Sequence, residues 1–110
     1  MADSYAFLNG KNQYASENVT VSTTPIGGTA ATIANYSDPL NSGTKATAAL
    51  VQAVANGFYY TLDGSTPSGS NGAVVAAGEV LALAGHSKVL KFKAVRSGGS
   101  DATINIQYYS

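Results

Sequence analysis

At 110 residues, with 45% hydrophobic side chains and no cysteine, the chain is long enough for one domain with a thin core, and disulfides and thiolate chemistry are excluded. Six basic and six acidic residues balance to a formal charge of zero, so the basic excess that phosphate binding requires is missing. Charged residues are only 11% of the chain, against about 25% in an average protein, which argues against disorder and for surfaces that self-associate.

Residues 1–18 are polar and aperiodic, with isolated apolar groups at Tyr5, Phe7, Leu8 and Tyr14. They read as an N-terminal arm that docks on its own domain or on a neighbour, leaving residues 19–110 as the folded domain. Met1–Tyr5 has no basic stretch followed by an apolar run, so no signal peptide is expected, and no stretch approaches the roughly 20 apolar residues of a membrane helix. From Val19 the pattern becomes period two, and Val19 and Val21 alternate with Thr20 and Ser22 as in a strand. Pro25, Gly27 and Gly28 end it. Residues 29–36 are rich in Thr, Ala and Ile and suit a short strand, followed by turn residues around Pro39 and Gly43.

Lys45–Ala55 is Ala-rich, which suits a helix, but its flanking turns favour a strand. Phe58–Leu62 is aromatic and strand-like, Asp63-Gly64 opens a turn, and Pro67–Gly72 extends it into a loop. Glu79–Leu83 alternates, with Leu81 and Leu83 on one face. Lys88–Arg96 also alternates, placing Leu90, Phe92 and Ala94 opposite Lys91 and Lys93. Ser97–Ser100 is a turn, and Ala102–Tyr109 sets Ile104, Ile106 and Tyr108 against Thr103, Asn105 and Gln107. The last two strands are expected to form an antiparallel hairpin. Short alternating strands between Gly/Ser/Asn turns predict an all-β fold, an antiparallel β-sandwich of immunoglobulin-like type with an extended N-terminal arm.

No residue constellation predicts catalysis, a cofactor or a metal. His86 is the single histidine, in a turn, where a solvated side chain is expected, and no Gly-x-Ser-x-Gly elbow accompanies the serines. The acids Asp3, Glu17, Asp38, Asp63, Glu79 and Asp101 are scattered, and no spacing requires the facing pair of a glycosidase. Asp63 and Asp101 read as turn residues that bond nearby backbone N–H groups. Tyr59-Tyr60 and Tyr108-Tyr109 are adjacent pairs, each expected to send one ring to the core and one outward; Tyr59 and Tyr109 are the candidates for stacking on a sugar.

Tyr59-Tyr60-Thr61-Leu62-Asp63-Gly64-Ser65-Thr66-Pro67-Ser68 resembles the Tyr-Thr-x-Asp-Gly-Ser-x-Pro-Thr hairpin of the chitobiase-type C-terminal β-sandwich modules, and Lys93-Ala94-Val95-Arg96 resembles their later Lys-Ala-x-Ala strand. A second resemblance spans roughly residues 19 to 109. Val21-Ser22-Thr23-Thr24-Pro25, the Tyr60–Pro67 hairpin, Phe92-Lys93-Ala94-Val95-Arg96-Ser97-Gly98 and Asp101-Ala102-Thr103 follow in the order found in small tailed-phage virion proteins. That resemblance implies a non-enzymatic structural protein on the virion, decorating or cementing the outer capsid surface, made in the host cytoplasm. Its partners would be the major capsid protein or other virion proteins, with a homo-oligomer expected and neither nucleic acid nor membrane. The first resemblance implies the alternative of a carbohydrate-associated accessory module; a neck or tail accessory protein is a third reading.

Overall fold

A computed structural model describes residues 10–29 and 46–110. Seven strands and one short helix lie within them: β1 (Gln13–Val21), β2 (Ala48–Ala55), β3 (Phe58–Thr61), β4 (Ala73–Val75), β5 (Val80–Ala84), α1 (His86–Lys91), β6 (Lys93–Arg96) and β7 (Ala102–Tyr109). The strands form a four-stranded sheet in the order β1-β7-β2-β5 and a three-stranded sheet in the order β4-β3-β6, with every pairing antiparallel. The two sheets pack together over one apolar core, the sandwich expected from the alternation. Within the larger sheet the first described strand lies beside the last.

β7 is central to the larger sheet. Its Ala102, Ile104, Ile106 and Tyr108 are buried, and the intervening residues face outward. On the inner face of the neighbouring β2, Ala49 stands opposite Tyr108, Val51 opposite Ile106 and Ala53 opposite Ile104. Small residues therefore lie beside large ones, which explains how an Ala-rich segment of good helix propensity serves as a strand: pairing on both sides and complementary volumes outweigh local preference. Phe58 and Tyr60 fill the core from the other sheet and Phe92 from the end of α1, with Phe58 and Phe92 edge to face at a centroid separation of 6.1 Å.

Three expectations are corrected. β1 starts at Gln13 and not at Val19, so residues 10–18 belong to the domain and not to an arm; residues 1–9 lie outside the described residues, as does the strand expected over 30–36. A register shift between Gln13 and Ala15 breaks the strict alternation, which is why this half of the strand looked aperiodic.

The segment Lys88–Lys91 is helical. Gly85 at φ 105° ends β5, Val89 N–H donates to the Gly85 carbonyl, and Phe92 N–H donates to that of Lys88. The buried pair is Val89 and Phe92, three residues apart, while Leu90 is 48% exposed. Period two and a one-turn helix both fitted this short run, and the glycine decided between them.

β6 and β7 form no hairpin, because they lie in different sheets. A four-residue strand would leave half of an eight-residue partner's backbone unbonded, and β7 instead pairs along its length with β1 and β2. The crossing at residues 97–101 is fixed by the Arg96–Asp101 ion pair at 2.8 Å and by Asn56 Nδ2 donating to the Asp101 carbonyl at 2.9 Å. Beyond β1 the chain also changes sheets. Arg96 N–H donates to the Ser22 carbonyl, and Ile26 and Ala94 exchange both backbone bonds, so residues 22–26 cover the outer edge of β6. Gly27 permits this approach, since a Cβ there would run into the Phe92 carbonyl oxygen.

Candidate interaction surface

The β3–β4 loop carries the most distinctive motif, and its polar groups bond one another. Asp63 Oδ1 accepts from Ser65 N–H at 3.0 Å and from the Ser65 hydroxyl, the turn role expected of it. The Ser65 bonds, through side chain and backbone, hold the Asp63 carboxyl below its ordinary range. Thr61 Oγ1 donates to the Ser65 carbonyl at 2.6 Å, and Asn71 Nδ2 donates to the Thr66 carbonyl at 2.8 Å. Pro67 and Thr61 are buried beneath the loop. Gly72, at φ 113°, closes it where any Cβ would meet the Tyr60 carbonyl oxygen. The motif is thus a self-bonded scaffold beside an open concavity of about 410 Å³ lined by Tyr60, Leu62, Asp63 and Asn71.

The tyrosines divide as alternation predicts. Tyr60 packs on the core and Tyr108 is fully buried. Tyr59 lies half-buried with its ring close to Gly69, and Tyr109 lies half-buried with its hydroxyl donating to Gln107 Oε1 at 3.2 Å. His86 departs from the solvated side chain expected of it. It is half-buried at the start of α1, with Nδ1 2.8 Å from the Ala46 carbonyl oxygen, a bond that ties the helix to the entry of β2. Asp101 pairs with Arg96, whereas a bond from its side chain to a nearby N–H was expected. Glu79 accepts from Ala76 N–H at 2.8 Å. Among the described residues no three His, Asp or Glu side chains gather as a metal site would require.

Glu17 makes an inward contact that the sequence reading missed. It accepts from the Tyr108 hydroxyl at 2.6 Å, from Thr29 N–H at 3.0 Å and from Thr29 Oγ1 at 2.8 Å, while Tyr14 stacks on Tyr108 at 6.3 Å. The signal was present: Glu17 shares the odd positions of Val19 and Val21 and so faces inward. Burial raises the Glu17 carboxyl, but the three donated bonds outweigh it and leave it below its ordinary 4.5. Burial, then the bond to Glu17 and its charge, push the Tyr108 phenol far above its ordinary 10.0.

The two groups have opposite consequences for pH. A carboxyl depressed in the fold contributes stability above its unfolded value, so this contribution is lost as pH falls below about 4.5. A phenol raised in the fold contributes below its unfolded value, so stability falls as pH rises beyond about 10.0. Tyr108→Phe is expected to cost about 1 kcal/mol near neutral pH, less than the about 1.5–3 kcal/mol of a bond to a charged group because Glu17 is only half-buried. Urea denaturation of both proteins should show that gap shrinking by about pH 3.5. An equal gap at both pH values would contradict the bond.

The outer face of the four-stranded sheet has a different character. β1 presents Ser16, Asn18 and Thr20; β7 presents Thr103, Asn105, Gln107 and Tyr109; β2 presents Leu50, Gln52 and Val54; β5 presents Val80, Ala82 and Ala84. None of these side chains is charged. Val54 is 56% and Val80 42% exposed, and a shallow pocket of about 110 Å³ lies between Leu50, Gln52, Val80, Asn105 and Gln107. The Asn105 amide donates to Asn18 Oδ1 at 3.0 Å, which ties β7 to β1 across the face. Alternation made the outward residues of each strand legible; their union into one charge-free face depends on the strand order.

Comparison with protein-family models, with curated proteins and with solved structures finds no match for the chain.

Proposed function

We propose that the chain is a non-enzymatic structural protein of a tailed-phage particle that decorates or cements the outer capsid surface, with the major capsid protein or neighbouring virion proteins as partners. The observation that carries the binding half of this reading is the charge-free outer face of the β1-β7-β2-β5 sheet. Lasting protein contacts deplete charge at their centre, because each buried charge must be desolvated. Amides, hydroxyls and aliphatic groups on a rigid sheet supply apolar area and hydrogen bonds without that cost. The virion half rests on the ordered motif resemblance from Val21 to Thr103.

Particles lacking the chain should take up the purified protein when sedimented together. Gln52→Lys combined with Gln107→Lys should weaken uptake at least about tenfold, equivalent to roughly 1.4 kcal/mol, without changing the thermal midpoint. Failure of the unaltered protein to bind, or full binding by the variant, would reject the role of this face.

One observation favours the carbohydrate reading: the amides of Gln52, Asn105 and Gln107 lie on the same face as the Tyr109 ring. Binding on a glycan array that Tyr109→Ala abolishes would establish it in place of the capsid role.

A further inference from the structure

We propose that two copies of the chain join through β5, edge to edge about a two-fold axis at Ala82, to make one continuous eight-stranded sheet. This deepens the proposed function by naming a second copy of the chain as a partner, and rests on that reading for its setting but not for its geometry.

β5 is the last strand of its sheet, and no described residue pairs with its outer edge. Ala53 N–H donates to the Glu79 carbonyl, and Gly85 N–H donates to the Thr47 carbonyl, so the odd positions of this segment bond to β2. The alternation of an antiparallel ladder then turns the N–H and C=O of Val80, Ala82 and Ala84 to the open edge. These groups are a template for another strand. Among the described residues the edge has none of the usual protections: Val80-Leu81-Ala82-Leu83-Ala84 contains no charge, no proline and no register shift against β2, and no described segment covers it.

The occupant that fits is a second β5. Pairing Ala82 with its own copy sets Val80 opposite Ala84 and Ala84 opposite Val80, so every outward backbone group meets a partner. The small side chains at 82 and 84 allow close approach on the outer face, while Leu81 and Leu83 of the two copies neighbour each other on the inner face. Charge agrees with this register. The Glu79 end of each strand runs alongside the partner's Gly85–Lys88 end, so an exposed carboxylate approaches an exposed lysine twice by symmetry. The edge is also continuous with the charge-free face, so joining two copies doubles the area presented to a capsid and adds avidity.

Sedimentation of the purified chain should show a dimer. Ala82→Lys places two like charges opposite each other at the axis and should weaken dimerisation at least about tenfold. Ala82→Pro removes an N–H that bonds no described residue within one chain and should yield a folded monomer. Ala82→Cys introduces the single thiol of the chain, about 5.5 Å from its copy between Cα atoms, a distance within the disulfide range of about 4.4–6.8 Å. Mild oxidation should therefore cross-link it efficiently, and Ser100→Cys should not. A monomer at high concentration would overturn the proposal. So would a dimer unaffected by Ala82→Lys and Ala82→Pro, or a large loss of monomer stability in Ala82→Pro, which would mean that the edge is covered within one chain. Each of these results leaves capsid uptake through the outer face to its own test, since Gln52 and Gln107 lie off the β5 edge.

Discussion

A chain beginning at Val19 is expected to lose cooperative thermal unfolding, whereas one beginning at Gly10 should keep it. The first deletion strips Gln13–Asn18 from β1 and with them the pairing to Tyr109–Asn105 of β7. It also removes the paired backbone bonds between Asn12 and Ser110, the Tyr14 ring from Tyr108 and the Glu17 carboxylate from its hydroxyl. Tyr108 is fully buried and is among the largest core side chains, so one flank of the core would open to water. Fully burying one large apolar side chain is worth about 1.5–3 kcal/mol, and the hydrogen bonds add about 1 kcal/mol each. Against a total of about 5–15 kcal/mol for a domain of this kind, the sum is decisive. A start at Gly10 leaves every described contact in place. Circular dichroism melts of the two truncations decide the matter, and equal melts would show that the first half of β1 is peripheral. Any test of a particle-binding arm therefore belongs to residues 1–9, because removal of 1–18 confounds binding with folding.

Phe58→Ala is expected to destabilise the domain by about 3–5 kcal/mol, measured by urea denaturation. Phe58 is fully buried, meets Phe92 edge to face at 6.1 Å and lies 6.2 Å from Tyr60. Its neighbouring rings are anchored, Tyr60 in β3 and Phe92 at the end of α1, so they have little freedom to collapse into the space. Much of the opposing layer is alanine (Ala49, Ala53 and Ala102), which cannot extend to fill it. The same substitution at Val54, on the outer face, should cost less than about 0.5 kcal/mol. A loss below about 1.5 kcal/mol at Phe58 would mean that the two sheets close over the cavity.

The strands carrying the strongest alternation were legible from the residues. β7 has the bounds that its Ile104, Ile106 and Tyr108 spacing predicts, and β2 stays extended despite its alanine content because it pairs with β7 on one side and β5 on the other. The Asp63 turn was legible from its side-chain chemistry. What the residues concealed was non-local. Nothing near Ser97–Asp101 says that the chain leaves one sheet for the other, since a five-residue link serves a hairpin as well as a crossing. The three-residue β4 is too short to show a period. The charge-free face was present in fragments, as Thr103, Asn105 and Gln107 in one strand and Gln52 in another, but fragments become a face only when β7 lies between β1 and β2. Glu17 was hidden for a related reason: read as part of an arm it was merely polar, and read as a strand residue it shares the inward side with Val19 and Val21.

The charge-free face and the unprotected β5 edge suit a protein held in repeated contacts, where weak individual bonds are multiplied by number. Quantitative mass spectrometry of purified virions, reported as copies of the chain relative to the major capsid protein, tests the proposed capsid role most directly. Capsid decoration predicts hundreds of copies per particle, in fixed ratio to the capsid protein. Absence from the particles, or about a dozen copies or fewer as for a neck or tail component, would contradict it.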